Sequence, residues 1–166
     1  IDPNDLQAMN HLGVDLHRVG QLEQALEMFQ KIETLDAGFE PAYCNRIITY
    51  TDLGEHDKAE EMFYLARLYK EHCPHCYYNI GVEYLAKKDE KQAEASWMKA
   101  LEIKADYAEA MNALSTLYNN QKRFDEASAM SAKAAASGGA SGNADAVFNQ
   151  GIILWNQGKI AEAKVK

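Results

Sequence analysis

Leu22-Glu-Gln-Ala-Leu-Glu-Met-Phe-Gln-Lys-Ile32 is the stretch that decides the fold. Its apolar residues Leu22, Ala25, Phe29 and Ile32 fall three and four apart, which is the period of one helix face. The pattern returns. Ala59, Ala93 and Ala127 follow Ala25 at steps of 34 residues, and Ala163 follows Ala127 by 36. Four residues beyond the first three of these alanines stand Phe29, Phe63 and Trp97, with Ser131 in the fourth place. Three further on come Ile32, Ala66, Ala100 and Ala134. A fixed return of this length is the mark of stacked repeats.

The residues upstream of each such stretch carry a second helical face, as in Met9, Leu12, Leu16 and Val19. Units cut at Leu6, Glu40, Pro74, Ala108 and Ala144 bring further slots into line. The eighth holds Gly13, Gly81 and Gly151, with Ile47 and Ser115 as exceptions; the eleventh holds Leu16, Tyr50, Tyr84, Tyr118 and Leu154. Between the two helical stretches stand Gly20, Gly54 and Gly158, where a chain leaving a helix often needs a left-handed residue. Lys88 and Lys122 take that place in two units and are weaker stops. Each unit therefore reads as two antiparallel helices. The two surplus residues of the last interval are assigned to a loop, Ser137-Gly-Gly-Ala-Ser-Gly-Asn143. Its Gly-Gly is either a mobile joint or an ordered turn.

This helix-turn-helix with its Gly, Tyr, Ala, Phe and Ala slots resembles the tetratricopeptide repeat, TPR, over essentially the whole chain. The resemblance implies an all-α fold, a right-handed α–α superhelix of antiparallel helix pairs. It assigns residues 1–5 to the end of a preceding repeat. TPR units then cover 6–39, 40–73, 74–107 and 108–141, with a truncated fifth at 144–166. One helix pair cannot bury its own apolar face, so neighbours must stack. No polar cap precedes Lys166, and the segment is expected to belong to a longer array with a frayed or covered end. Arg46 stands where other units are apolar; it is expected to pair with a carboxylate or to snorkel, with a ligand role as the alternative. Ser131 and the alanines behind it should leave the fourth unit thinly packed.

Composition narrows the function. The 166 residues carry a net charge of −8, with no basic excess to displace counterions from phosphates, so nucleic acid is not an expected partner. No apolar run reaches the roughly 18–20 residues of a membrane span, and no membrane insertion is expected. Ile1 to Asn10 show no basic segment followed by an apolar stretch, which favours a cytoplasmic over a periplasmic location. Residues 1–83 carry six basic and fifteen acidic side chains, a net −9, whereas residues 84–166 carry eleven and ten, a net +1. Such asymmetry favours head-to-tail contacts between copies at low salt.

The sharpest local string is His72-Cys-Pro-His-Cys76. Its core resembles the active-site motif of periplasmic disulfide oxidoreductases, and a cysteine at a helix start is expected to favour the thiolate. A metal site is the other chemical reading of Cys73, Cys76, His72 and His75, with Cys44 or another chain needed to complete it. The repeat supplies a plainer account. Cys76 takes the slot of Ala8, Ala42, Ala110 and Ala146, and Cys73 that of Phe39 and Tyr107, so both read as core residues. No phosphate-cradling glycine loop and no HExxH pair is present. No enzyme, no cofactor and no metal is the resulting expectation.

A second stripe on each first helix lies opposite the core. In TPR proteins that stripe lines a concave groove that takes extended peptides. Here it presents Asn10 and His11, then Asn45 and Ile48, then Tyr78, Asn79 and Val82, then Asn112, and finally Phe148, Asn149, Ile152 and Trp155. Primary amides both donate and accept, so a ladder of them could read a peptide backbone. Apolar side chains on a wet face mark a binding surface. The clamp by which some TPR proteins hold chaperone tails needs basic residues where this chain has Asn10, His75 and Asn79, and it is not expected. The resemblance thus implies a scaffold that binds a protein or peptide partner. A self-associating array, joined through its terminal repeats, is the alternative.

Overall fold

A computed structural model describes residues 5–137 and 140–159, with 140–143 as backbone alone. Among the described residues there are nine helices and no strand. They are α1 Leu6–Arg18, α2 Leu22–Leu35, α3 Glu40–Asp52, α4 His56–Tyr69, α5 Pro74–Ala86, α6 Glu90–Ile103, α7 Ala108–Asn120, α8 Phe124–Ser137 and α9 Ala140–Asn156. They fall into two compact units, one ending at Asp89 and one beginning at Glu90.

In the first unit α1 packs on α2 and α3 on α4, and the first helices also touch one another, α1 with α3 and α3 with α5. The local reasons are visible residue by residue. Asp5 caps α1, its carboxylate accepting from the Gln7 and Ala8 amides at 3.0 and 3.1 Å. Gly13 lets α1 approach α2 so closely that a Cβ there would lie 2.5 Å from the Phe29 ring. Ala25, Phe29 and Ile32 are wholly buried against Met9 and Ala42. Farther along, Tyr43, Ile47, Met62, Phe63 and Ile80 form the next core cluster.

In the second unit α7 packs on α6, α8 and α9, and α8 packs on α9. Hydroxyls here take over positions that the repeat elsewhere gives to Gly or an aromatic ring. Ser115 donates to the Ala127 carbonyl at 2.9 Å, joining α7 to α8. Ser131 donates to the Ala146 carbonyl at 2.6 Å, joining α8 to α9. Small residues thus trade ring packing for a buried hydrogen bond.

The left-handed turn slot is occupied as a backbone requirement and not as a glycine requirement. Gly20, Gly54 and Gly158 have φ of 80°, 73° and 77°, and Lys88 and Lys122 adopt 63° and 62° in the same place. Arg46 is buried and paired, its guanidinium 2.5 Å from Glu33 and 5.6 Å from the centre of the Tyr50 ring. One expectation needs correction. Residues 140–143 are not loop: α9 begins at Ala140, four residues before Ala144. The surplus of the last interval is partly taken up as an extra helical turn ahead of buried Ala146. Residues 1–4, the Gly138–Gly139 joint and residues 160–166, with Ala163 and the expected frayed end, lie outside the described residues.

Candidate functional site

The stripe expected to meet a ligand lies on the first helices of the pairs, and its amides behave in different ways. In the first unit Asn45 donates from Nδ2 to Asn10 Oδ1 at 2.8 Å, so α3 and α1 are linked side by side. Asn79 is only 3 % exposed, and its Nδ2 donates to the Cys44 carbonyl at 2.6 Å, linking α5 to α3. His17 Nε2 and Asp52 Oδ2, 2.9 Å apart, add a second link between α1 and α3. In the second unit Asn156 donates to Asn119 at 3.1 Å between α9 and α7. Asn112 Oδ1 is buried with no hydrogen-bond partner, and Asn149 is half-buried. Within the first unit, then, much of the amide ladder is spent on holding neighbouring helices together.

The apolar members are more open. Ile48, Tyr78 and Val82 are half-buried on α3 and α5, and His11 is exposed on α1. On α9, Phe148, Ile152 and Trp155 are 69 %, 37 % and 59 % exposed. Their spacing of four and three puts them on one helix face.

The cysteine string resolves into a different constellation from the one expected. Cys73 is the N-cap of α5, Pro74 is its first residue, and the Cys76 amide lies 3.4 Å from the Cys73 sulfur. Cys44 reaches the same place from α3. Its sulfur is 3.7 Å from that of Cys73, and Cys44 and Cys76 are joined as a disulfide across Cα atoms 5.0 Å apart. Glu40, the first residue of α3, completes the group, with Oε1 2.8 Å from the Cys44 sulfur and 2.9 Å from the Cys76 sulfur. All four are buried, and their ligand-type atoms lie within 4.8 Å of one another. His72 and His75 are exposed and do not belong to this group. The helix start does not yield the expected thiolate: burial, and then the Glu40 carboxylate, push the Cys73 thiol up to about 12.

Sequence reasoning missed Glu40, whose only signal was a carboxylate one helical turn before Cys44. It also missed Glu83, fully buried, which accepts from the Thr51 hydroxyl at 2.6 Å and lies 2.7 Å from His56 Nδ1.

Helix pairs stacked through small residues, with side chains left open on the first helices, define an all-α repeat scaffold for binding other proteins. The comparisons give the family. Models described as tetratricopeptide repeat match residues 74–107, and also 6–32 and 108–137. A protein of Methanocaldococcus jannaschii is 31 % identical over 71 residues, covering 43 % of this chain and 83 % of that protein. The chain belongs to the tetratricopeptide repeat family. Solved structures agree on the fold. A thermophilic TPR protein of Thermus thermophilus, TTC0263, matches with a TM-score of 0.78 at 19 % identity, covering 95 % of this chain and 86 % of that one. YrrB, described as a TPR protein with an unusual peptide-binding site, matches with a TM-score of 0.60 at 23 % identity, over 98 % of this chain and 82 % of its own. A chain of the APC/C hetero-tetramer Cut9–Hcn1 matches with a TM-score of 0.78 at 18 % identity, over 99 % of this chain but 32 % of that chain. The fold class is therefore the all-α superhelical repeat, and the protein is a protein–protein interaction scaffold of a typically non-catalytic kind.

Proposed function

We propose that the chain holds an extended peptide segment of a protein partner against the open face of its first helices and catalyses no reaction. The observation that carries this reading is the α9 stripe of Phe148, Ile152 and Trp155. Two aromatic rings and a branched aliphatic chain standing in water on one face are the usual make-up of a recognition surface. Asn149, half-buried between Phe148 and Ile152 in the chain, is placed to meet a peptide backbone. In the first unit, His11, Asn45, Ile48, Tyr78 and Val82 offer a comparable face, with Asn10 and Asn79 acting chiefly as links between helices. Similarity to a peptide-binding TPR protein supports a peptide as the ligand. The net charge of −8 supports protein over nucleic acid.

Selection from a displayed peptide library tests the proposal. The wild type should enrich sequences with bulky apolar residues, and the bound peptide should shift Trp155 emission to the blue. Phe148→Ser with Trp155→Ser should raise the Kd at least about tenfold, as expected for anchor residues, while leaving the helical circular dichroism unchanged. Equal affinity in the double variant would remove the stripe from the account. Mass that grows with concentration in light scattering, and is restored to the monomer by the double variant, would assign the stripe to a second copy instead.

A further inference from the structure

We propose that, once its disulfide is reduced, the chain binds one Zn²⁺ in a closed structural site made by Glu40, Cys44, Cys73 and Cys76, clasping the starts of α3 and α5. This departs from the expectation of no metal, and it is independent of the peptide surface.

The donor set comes first. Three sulfurs and one carboxylate oxygen, all buried, lie within 4.8 Å of one another. Structural zinc sites take four such donors in a tetrahedron. With Zn–S bonds of about 2.3 Å, two sulfurs on one ion stand about 3.7 Å apart; the Cys44 and Cys73 sulfurs are 3.7 Å apart. The donors come as two paired half-sites. Cys73 and Cys76 have the C-x-x-C spacing of zinc knuckles. Glu40 and Cys44, four apart on α3, share one helix face. Neither half-site needs the other's backbone to bend, because α3 and α5 already pack together.

The carboxylate is the second argument. Glu40 Oε1 touches both sulfurs of the disulfide at 2.8 and 2.9 Å. Disulfide sulfurs carry no proton, so the one thiol hydrogen left to this buried acid is that of the free Cys73. Its other oxygen has Lys70 Nζ only at 4.0 Å. Such a carboxylate calls for a positive centre among the sulfurs. Reduction by a phosphine supplies two electrons, breaks the Cys44–Cys76 bond, and leaves three thiols. Zinc then binds with release of their three protons, giving three thiolates and one carboxylate around the ion. The residual negative charge lies at two helix N-termini, since Glu40 opens α3 and Cys73 caps α5. The Cys76 amide, 3.4 Å from the Cys73 sulfur, points a donor at a ligand atom.

The whole chain, reduced with a phosphine and freed of metal, is titrated with Co²⁺ and then Zn²⁺. One equivalent of Co²⁺ should give intense thiolate-to-metal charge-transfer bands with tetrahedral d–d absorption, and Zn²⁺ should displace it one for one. Zinc should raise the Tm. Cys44→Ser, Cys73→Ser and Cys76→Ser should each weaken binding by about 100-fold or more, since each removes a direct ligand. Glu40→Gln should keep the charge-transfer bands, change the d–d bands and lose about tenfold in affinity. Uptake of no stoichiometric metal by the folded, reduced wild type would overturn the proposal, whatever the variants do. So would a disulfide that resists the phosphine in the folded chain, or a Cys73→Ser variant that binds as tightly as the wild type.

Discussion

At the scale of single residues, asparagine shows how one side chain at one repeat position can do two jobs. Asn45 and Asn79 share a slot 34 residues apart. Asn45 is half-buried and bonds to Asn10, whereas Asn79 is buried and bonds to a backbone carbonyl. Asn79→Ala leaves the Cys44 carbonyl without that donor, so it should cost about 1–3 kcal/mol of stability. Urea unfolding should show this as a lower midpoint at an unchanged slope. Asn45→Ala, on the wetter position, should cost less. The amide type was legible in the sequence, and so was the periodicity that placed it. The consumption of the amide was not, because it depends on where a neighbouring helix puts its Cys44 carbonyl.

Elements obey backbone needs that residue type follows only in part. Helices α1, α3, α5 and α7 begin at Leu6, Glu40, Pro74 and Ala108. Among the described residues, the turns that follow α1, α3, α5, α7 and α9 each place a residue at positive φ, yet two of those residues are lysines. A side chain in the left-handed region costs roughly 1–2 kcal/mol, against about 0.5–1 kcal/mol for the extra freedom glycine loses on folding. Lys88→Gly and Lys122→Gly should therefore each stabilise the chain by up to about 1 kcal/mol, read as a rise in Tm. A fall in Tm would show that the lysine side chains contribute more than the backbone loses. The start of α9 was misread because Gly142 and its small neighbours look like loop, while continuation from buried Ala146 extends the helix to Ala140. Arg46 was legible as a departure, and its partner Glu33 on α2 answers the burial cost.

On the scale of the whole molecule, repeat proteins approximate a sum of local pair energies and neighbour terms. Gly13→Ala tests this. Its Cβ would meet the buried Phe29 ring at 2.5 Å, a clash worth about 1–3 kcal/mol. Hydrogen exchange should quicken in α1 and α2 and stay unchanged in α7 to α9. Uniform loss of protection would mean that the chain unfolds as one block. The helix-pair architecture could be read from the 34-residue return alone, since stacking repeats need the same small and large residues in the same places. The meeting of Glu40 and Cys44 with Cys73 and Cys76 could not, for it joins residues 36 or fewer apart through packing that no period encodes.

The bonds between successive first helices have a practical consequence for anyone who would recombine such arrays. Asn10 with Asn45, His17 with Asp52 and the Cys44 carbonyl with Asn79 all join residues 35 apart, so each contact straddles the cut between one pair and the next. A pair transplanted alone carries half of every joint. A working cassette for chimeras therefore runs from the start of one first helix to the end of the next, as from Leu6 to Asp52, so that donor and acceptor travel together.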